Sequence, residues 1–306
     1  MQKIRQLTND LVKALPLDDE PYPHPRNEFL PDAFFLIALS GERGQGKTAL
    51  AIRLMKDLEI SKYYDEKGNE VPQVIYLMSP TSEANPAFKR LAHLNKENIY
   101  ANYSDKLLLE LMEEIKADRL ATQKYKKACI LWQDWCKYIR RDKDPLLIMT
   151  KEDLQLLSGE TNGFREEPRK PAHPFGRVVH LILDDLVGSP AFKLSRDNAF
   201  SSFCLKSRHY WTNILLCTQR LKQIPPIIRS NLSAVAIWRM MSNKLLCQEV
   251  WPTVSGILTE DEFLAYYEAA VKHSKWDCLM IDKRSPEGRQ IRRNLNEILT
   301  LSAPAA

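Results

Sequence analysis

Gly41-Glu-Arg-Gly-Gln-Gly46-Lys47-Thr48 packs three of the chain's ten glycines into six residues and follows them with a lysine and a hydroxyl. This is the spacing G-x-x-x-x-G-K-[ST]. Glycines there let backbone N–H groups turn inward around a phosphate with no Cβ in the way. A helix starting at Lys47 would aim its positive end at the same anion. In such a loop, residues 41–48 (Gly41, Glu42, Arg43, Gly44, Gln45, Gly46, Lys47 and Thr48) cradle a nucleoside triphosphate. Lys47 reaches the β- and γ-phosphates, and the Thr48 hydroxyl is a ligand for Mg²⁺. Glu42 and Arg43 are unusual occupants; they are either plain surface residues or, for Arg43, a group facing a neighbouring subunit.

Further chemistry-bearing residues stand at the ends of apolar runs. Val178-Val-His-Leu-Ile-Leu terminates in Asp184-Asp185. Asp184 suits the carboxylate that holds a hydrated Mg²⁺, and Asp185 suits the base that orients and deprotonates an attacking water. Asn213-Ile-Leu-Leu-Cys ends in Thr218-Gln219, where a glutamine can contact the γ-phosphate or that water. Arg229, in Ile224-Pro-Pro-Ile-Ile-Arg229-Ser-Asn231, is placed to act as an arginine finger on a nucleotide held by a neighbour, with Arg208 and Arg239 as rivals. For each of the three, an ordinary surface or phosphate contact is the competing reading. His180, inside the acidic strand, is a core imidazole or a neighbour of the cofactor rather than a metal ligand, because no partner with metal-type spacing lies near it.

Positioning these groups requires strands that end together. Phe34–Ser40, Gln73–Met78, Arg177–Leu183, Asn213–Cys217 and Ala234–Trp238 are continuous apolar runs suited to buried strands, and Asp277–Asp282 is a further candidate. Between them, Lys47–Leu58, Ser104–Arg141, Ser195–Tyr210 and Glu260–His273 carry helical patterns. Alternating strands and helices predict an α/β fold with a mainly parallel sheet covered on both faces. Residues 3–15 have helical spacing, Pro16 to Pro31 holds five prolines and reads as an extended lead-in, and 161–176 is a polar, proline-bearing connector.

With 306 residues, 44% of them hydrophobic and 27% charged, the chain has material for a large core and is not disordered as a whole. No apolar run approaches the ~20 residues of a membrane span, and the first residues lack the apolar block of a secretion signal. Six cysteines without a Cys-x-x-Cys pair argue against a zinc site or a disulfide framework, which fits a reducing compartment. The net charge of +5 belongs to the last third: residues 201–306 hold 14 Lys/Arg against 9 Asp/Glu. Within it, 198–248 includes Lys206, Arg208, Arg220, Lys222, Arg229, Arg239 and Lys244. Such a stretch is either a solvated surface or an attractor of phosphate-bearing partners. Lysines and arginines of the long helical block alternate with Tyr125, Trp132, Trp135 and Tyr138. An amphipathic helix, aromatics inward and lysines wet, is preferred there over a nucleic-acid contact.

In their order along the chain, the motifs resemble the genome-packaging ATPases of large nucleocytoplasmic DNA viruses, typified by the poxvirus packaging ATPase, within the FtsK/HerA superfamily. The phosphate loop, the Asp184-Asp185 strand, Arg208-His209, the strand ending at Gln219 and the segment Pro226–Asn231 carry the resemblance. So does the tail, with Phe263-Leu-Ala-Tyr-Tyr, Cys278–Asp282 and Arg292-Arg293-Asn294. Two positions depart from the pattern: Gln45 stands where that family usually has serine, and Ser207 where it has glycine. The resemblance implies a RecA-like P-loop NTPase core, with an added strand between the phosphate-loop strand and the acidic strand. One ATPase domain would span 33–300, interrupted by a helical insertion near 104–158 and the connector 159–176, with 1–32 as lead-in and 301–306 as tail.

It further implies an Mg²⁺-dependent ATPase, with Lys47, Asp185, Gln219 and Arg229 catalytic and Thr48 and Asp184 on the metal, pumping double-stranded DNA into a preformed capsid. The partners would be DNA, further copies of the chain in a ring, and capsid or virion vertex components, with no stable membrane insertion. The place would be the host cytoplasm at viral assembly sites, or the virion. Two alternatives belong to other classes: a P-loop kinase of a small acceptor, and a nucleotide-gated virion assembly protein.

Overall fold

The structure is a computed structural model that describes residues 22–300 except 28, 83–85, 142, 187, 195–197 and 241. The expected helix at 3–15, the first part of the lead-in and the tail 301–306 lie outside the described residues.

In chain order the strands are β1 (His24–Pro25), β2 (Leu36–Ser40), β3 (Tyr63–Tyr64), β4 (Glu70–Val71), β5 (Gln73–Met78), β6 (Ile99–Tyr100), β7 (Val178–Asp184), β8 (Thr212–Thr218), β9 (Ala234–Ile237), β10 (Leu279–Asp282), β11 (Ile291–Arg293) and β12 (Glu297–Ile298). The α-helices are α1 (Lys47–Ser61), α2 (Asp105–Arg140), α3 (Lys151–Glu160), α4 (Ala199–Lys206), α5 (Pro226–Ser230), α6 (Asn243–Glu249), α7 (Trp251–Val254) and α8 (Glu260–Val271).

Nine strands form one sheet in the order β12-β11-β10-β9-β2-β8-β7-β5-β6. From β9 to β6 every pairing is parallel, and β10, β11 and β12 extend the sheet antiparallel. β8 lies between β2 and β7, so the expected extra strand between the phosphate loop and the acidic pair is present. Because all three run parallel, Ser40, Asp184 and Thr218 end on one edge, where ligands of open α/β sheets collect.

Strand alternation divides the core. Ile37, Leu39, Leu215 and Cys217 face α1, where Leu54, Met55 and Leu58 are buried, together with Tyr63 and Val71 of the small β1-β3-β4 sheet. Leu36, Ala38, Leu181, Leu183 and Leu216 face the other way, onto α2, α4 and α8 through Leu111, Phe203 and Phe263. Each fully buried aliphatic or aromatic side chain of this kind contributes about 1.5–3 kcal/mol. Phe34, expected in the strand, takes a left-handed φ of 58°, and the ladder begins after it, at Leu36. The helix expected up to Tyr210 ends at Lys206 and continues as a 3-10 turn over Ser207–Tyr210.

Trp135 of α2 packs within the molecule. It stacks on Phe164 with ring centroids 4.2 Å apart, and Lys127 pairs with Asp153 of α3 at 2.7 Å. All six cysteines are free thiols. Among the described residues, no helix is long and apolar enough to cross a membrane.

His180 is a core imidazole. Its Nε2 donates to Gln73 Oε1 at 2.9 Å, and its Nδ1 accepts from Asn213 Nδ2 at 3.2 Å. Asn213 Oδ1 in turn accepts from Phe35 N at the mouth of β2. Burial, helped by His93, pulls the imidazole pKa down to about 3. An unfolded histidine titrates near 6.5, so the neutral ring's contribution to stability is complete above that pH and is lost as pH falls toward 3. Between pH 6.5 and 5 the loss is about 2 kcal/mol. Urea unfolding of wild type and His180→Gln at both pH values measures it: the wild type should lose more stability by about that amount, and equal losses would refute the assignment.

Candidate active site

The phosphate loop is stretched between two strand ends. Gly41 N donates to Thr218 O at 3.2 Å, and Trp238 N donates to Ser40 O at 3.1 Å, so the exit of β2 is clamped by β8 and β9. Gly41 permits this closeness: a Cβ there would stand 2.8 Å from Trp238 Cβ and 2.7 Å from Gln45 Oε1. Gly44 and Gly46 take φ of 79° and 102°, a region that L side chains rarely adopt. Gly46 is the N-cap of α1, and no side chain caps the helix there, which leaves its first N–H groups for an anion.

Gln45 braces the loop. Its Oε1 accepts from Glu42 N at 2.6 Å, and its Nε2 donates to Arg239 O at 2.8 Å. A serine is too short to span from the loop to the end of β9, so the departure at this position acquires a physical role that sequence alone did not suggest. Glu42 and Arg43 are exposed.

Lys47, half-buried, donates from Nζ to Gly41 O at 2.7 Å and Glu42 O at 2.9 Å. Burial lowers its pKa, opposed by Cys217 and by the carboxylates of Asp184 and Asp185. Thr48 Oγ1 donates to Asp184 Oδ2 at 3.2 Å. Asp184 is 4% exposed, and burial raises its carboxyl pKa, with Asp185 adding to the rise while Thr48, the Cys217 thiol and Lys47 oppose it. Cys217 is the register partner of Asp184 in the β7–β8 ladder, so its thiol hydrogen bond comes from strand alignment, a signal visible only once the strands are paired.

Asp185 leaves the strand. Its φ is 55°, a left-handed value for a residue with a Cβ, and its N–H donates to Cys217 O at 3.3 Å. Backbone of this kind concentrates at functional sites. The turn brings the exposed Asp185 side chain next to Gln219, whose Nε2 donates to Asp185 Oδ1 at 3.4 Å. Behind Gln219, Thr218 Oγ1 donates to Gln223 Oε1 at 2.9 Å, and Arg220 is ion-paired to the buried Glu249 through two guanidinium nitrogens.

The strand ends thus bring Lys47, Thr48, Asp184, Asp185 and Gln219 together. Arg229 is not joined to them. It lies on the crossover that returns the chain to the opposite edge before β9, and its Nε donates to Ile224 O within its own turn. Arg239 donates to Val271 O, and Arg208 lies over the Tyr22 ring. The basic stretch is also divided: Lys206 and Arg208 precede β8 at the far edge, whereas Arg220, Lys222 and Arg239 leave β8 and β9 at the loop edge.

The donor set fits Mg²⁺. A hydroxyl and a buried carboxylate are hard oxygens, and the carboxylate is held among groups that only partly offset its burial. Among the described residues no cluster of three or more His, Cys, Asp or Glu forms a metal cage. Mg²⁺ is commonly held by one or two protein oxygens together with substrate phosphates.

No protein-family model matches the chain, and no curated protein matches it. Solved structures do. The genome-packaging NTPase B204 of Sulfolobus turreted icosahedral virus 2, in complex with AMPPCP, is 13% identical over 89% of this chain and 100% of its own, with a TM-score of 0.43. The pCW3 conjugation coupling protein TcpA, with ATPγS, is 11% identical over 86% of this chain and 63% of its own, with a TM-score of 0.36. The cytoplasmic domain of the Thermomonospora curvata type VII secretion ATPase EccC is 13% identical over 93% of this chain and 30% of its own, with a TM-score of 0.38. Overlaps this distant carry no argument about activity or partners.

Proposed function

We propose that the chain is an Mg²⁺-dependent ATPase that drives double-stranded DNA into a preformed viral capsid. The observation that carries the hydrolytic part is the convergence of three strand ends, where Thr48 meets Asp184 at 3.2 Å and Gln219 meets Asp185 at 3.4 Å beside Lys47. The loop amides and Lys47 hold the phosphates, and Lys47 exchanges its two loop carbonyls for phosphate oxygens. Thr48 and Asp184 supply the oxygens for Mg²⁺, which when bound neutralises charge on the β- and γ-phosphates. Asp185 accepts the proton of a water that Gln219 helps to orient. The fixed dipoles and charges act on the transferred group, which needs positioning and electrostatic help more than covalent chemistry.

Support for translocation comes from the motif order, which resembles that of packaging ATPases, and from the cations Arg220, Lys222 and Arg239 at the same edge as the site. In this reading 33–300 is one ATPase domain with its helical insertion. Copies assemble into a ring around DNA, capsid or virion vertex components receive the ring without stable membrane insertion, and the work is done in the host cytoplasm at viral assembly sites or in the virion. Arg229 then acts, if at all, on a neighbour's nucleotide.

ATPase rate with and without double-stranded DNA, across a salt series, tests this. Stimulation by DNA that fades steeply with salt is expected, because phosphate contacts release counterions. A DNA-indifferent transfer of phosphate to a small acceptor would move the protein to the kinases. A rate unaffected by DNA at every salt concentration, with no such transfer, would remove the motor reading.

A further inference from the structure

We infer that Trp276 is the surface on which the base of the nucleotide stacks, an inference that rests on the nucleotide-site reading above. The site has a direction. Asp184, Asp185 and Gln219 leave β7 and β8, on one side of β2, so the reacting end of a bound triphosphate points to that side. The other end must run toward β9 and β10, on the opposite side of β2. Trp276 stands there, in the turn between α8 and β10. Its ring reaches the loop: a Cβ on Gly46 would lie 3.4 Å from Trp276 Cε3.

The indole is 54% exposed in a protein whose Trp211 and Trp238 are almost wholly buried. The backbone that carries it is nevertheless tied down. Trp238 Nε1 donates to Trp276 O at 3.0 Å, and Trp276 N donates to Ser274 Oγ at 3.2 Å. Asp277 N closes the turn on Ser274 O at 3.2 Å, and Asn294 Nδ2 donates to Asp277 Oδ1 at 3.0 Å. Lys275 Nζ sits over the ring, 4.5 Å from its centroid, so a π face is covered by an ammonium on a flexible stem. A large aromatic on a hydrogen-bonded turn, half in water and against the N-terminus of a phosphate-binding helix, is poorly explained by packing. A base lying on it would cover that face, displace Lys275 and leave that ammonium near the sugar–phosphate end. Every base has a π face, so this surface recognises a base through stacking area and favours purines over pyrimidines.

Calorimetric titration with a non-hydrolysable ATP analogue and with inorganic tripolyphosphate, both with Mg²⁺, separates the base from the phosphates. Trp276→Ala is expected to weaken binding of the analogue about tenfold, to leave tripolyphosphate binding unchanged, and to be rescued largely by Trp276→Phe. Equal weakening toward both ligands would make Trp276 a mere support for Gly46 and overturn the inference, as would unchanged binding of the analogue. Failure of the wild type to bind either ligand would instead refute the nucleotide site, and with it this inference.

Discussion

Asp185→Asn is expected to lower ATP turnover about a thousandfold and to leave nucleotide affinity within a factor of a few, because a general base contributes on the order of 10²–10⁴ to rate. Asparagine has the size of the native side chain and, like aspartate, tolerates a left-handed φ such as the 55° found here. The N–H that donates to Cys217 O is backbone and stays in place. The exposed carboxylate accepts from Gln219 Nε2. What the substitution removes is therefore the capacity to accept a proton, together with a negative charge that acts on Lys47 and Asp184. Asp184→Asn differs in kind: that carboxylate is buried against Thr48, and its loss should appear as a raised Mg²⁺ requirement. Single-turnover hydrolysis and equilibrium binding of the analogue check the pair. An Asp185→Asn protein that turns over at the native rate would move the base role to another group.

Much of this was legible beforehand, for reasons visible in particular residues. Leu36–Ser40, Gln73–Met78, Val178–Asp184 and Thr212–Thr218 are central strands buried on both faces, so they appear as continuous apolar runs, and a residue's place at the end of such a run fixes its place in the site. Asp184, Asp185 and Gln219 stand at the ends of such runs, whereas Lys47 and Thr48 are marked by the glycine spacing of the loop. Of the antiparallel flank, only β10 has such a signal, as the candidate strand Asp277–Asp282. β11 and β12 have three and two residues, carry Arg292, Arg293 and Glu297, and pair only because β10 lies alongside. β1, β3 and β4, two residues each, are similarly set by tertiary contacts. Contacts that depend on register, such as Cys217 opposite Asp184, or on a reach across strands, such as Gln45 to Arg239, have no one-dimensional signature. The basic residues of 198–248 are continuous in sequence, yet their path along β8 and β9 divides them between two edges.

Lys47→Ala has the largest expected effect, since it acts on both binding and chemistry. In the resting loop the ammonium satisfies Gly41 O and Glu42 O, and in the loaded site it would give those up for phosphate oxygens. Partial burial lowers its pKa, and a charge partly withdrawn from water attracts an anionic ligand more strongly than a fully solvated one. Alanine should weaken triphosphate binding roughly tenfold or more and depress turnover by about a thousandfold or beyond, a scale comparable to the loss of a cationic group that stabilises a transferring phosphoryl. The fold should survive: the clamp of Gly41 N on Thr218 O, the Gln45 bridge and the apolar face of α1 do not involve the ammonium. An unchanged melting temperature together with lost binding distinguishes a missing charge from a collapsed loop. The same variant also tests Arg229. If that guanidinium, turned into its own crossover here, reaches the nucleotide of the next subunit, then Arg229→Ala is inactive in the ring, and mixing it with Lys47→Ala restores part of the activity. In mixed rings some interfaces pair an intact loop with an intact arginine. Restoration by mixing supports action between subunits; a mixture as inactive as its components removes Arg229 from the catalytic set and leaves Arg208 and Arg239 to the same complementation.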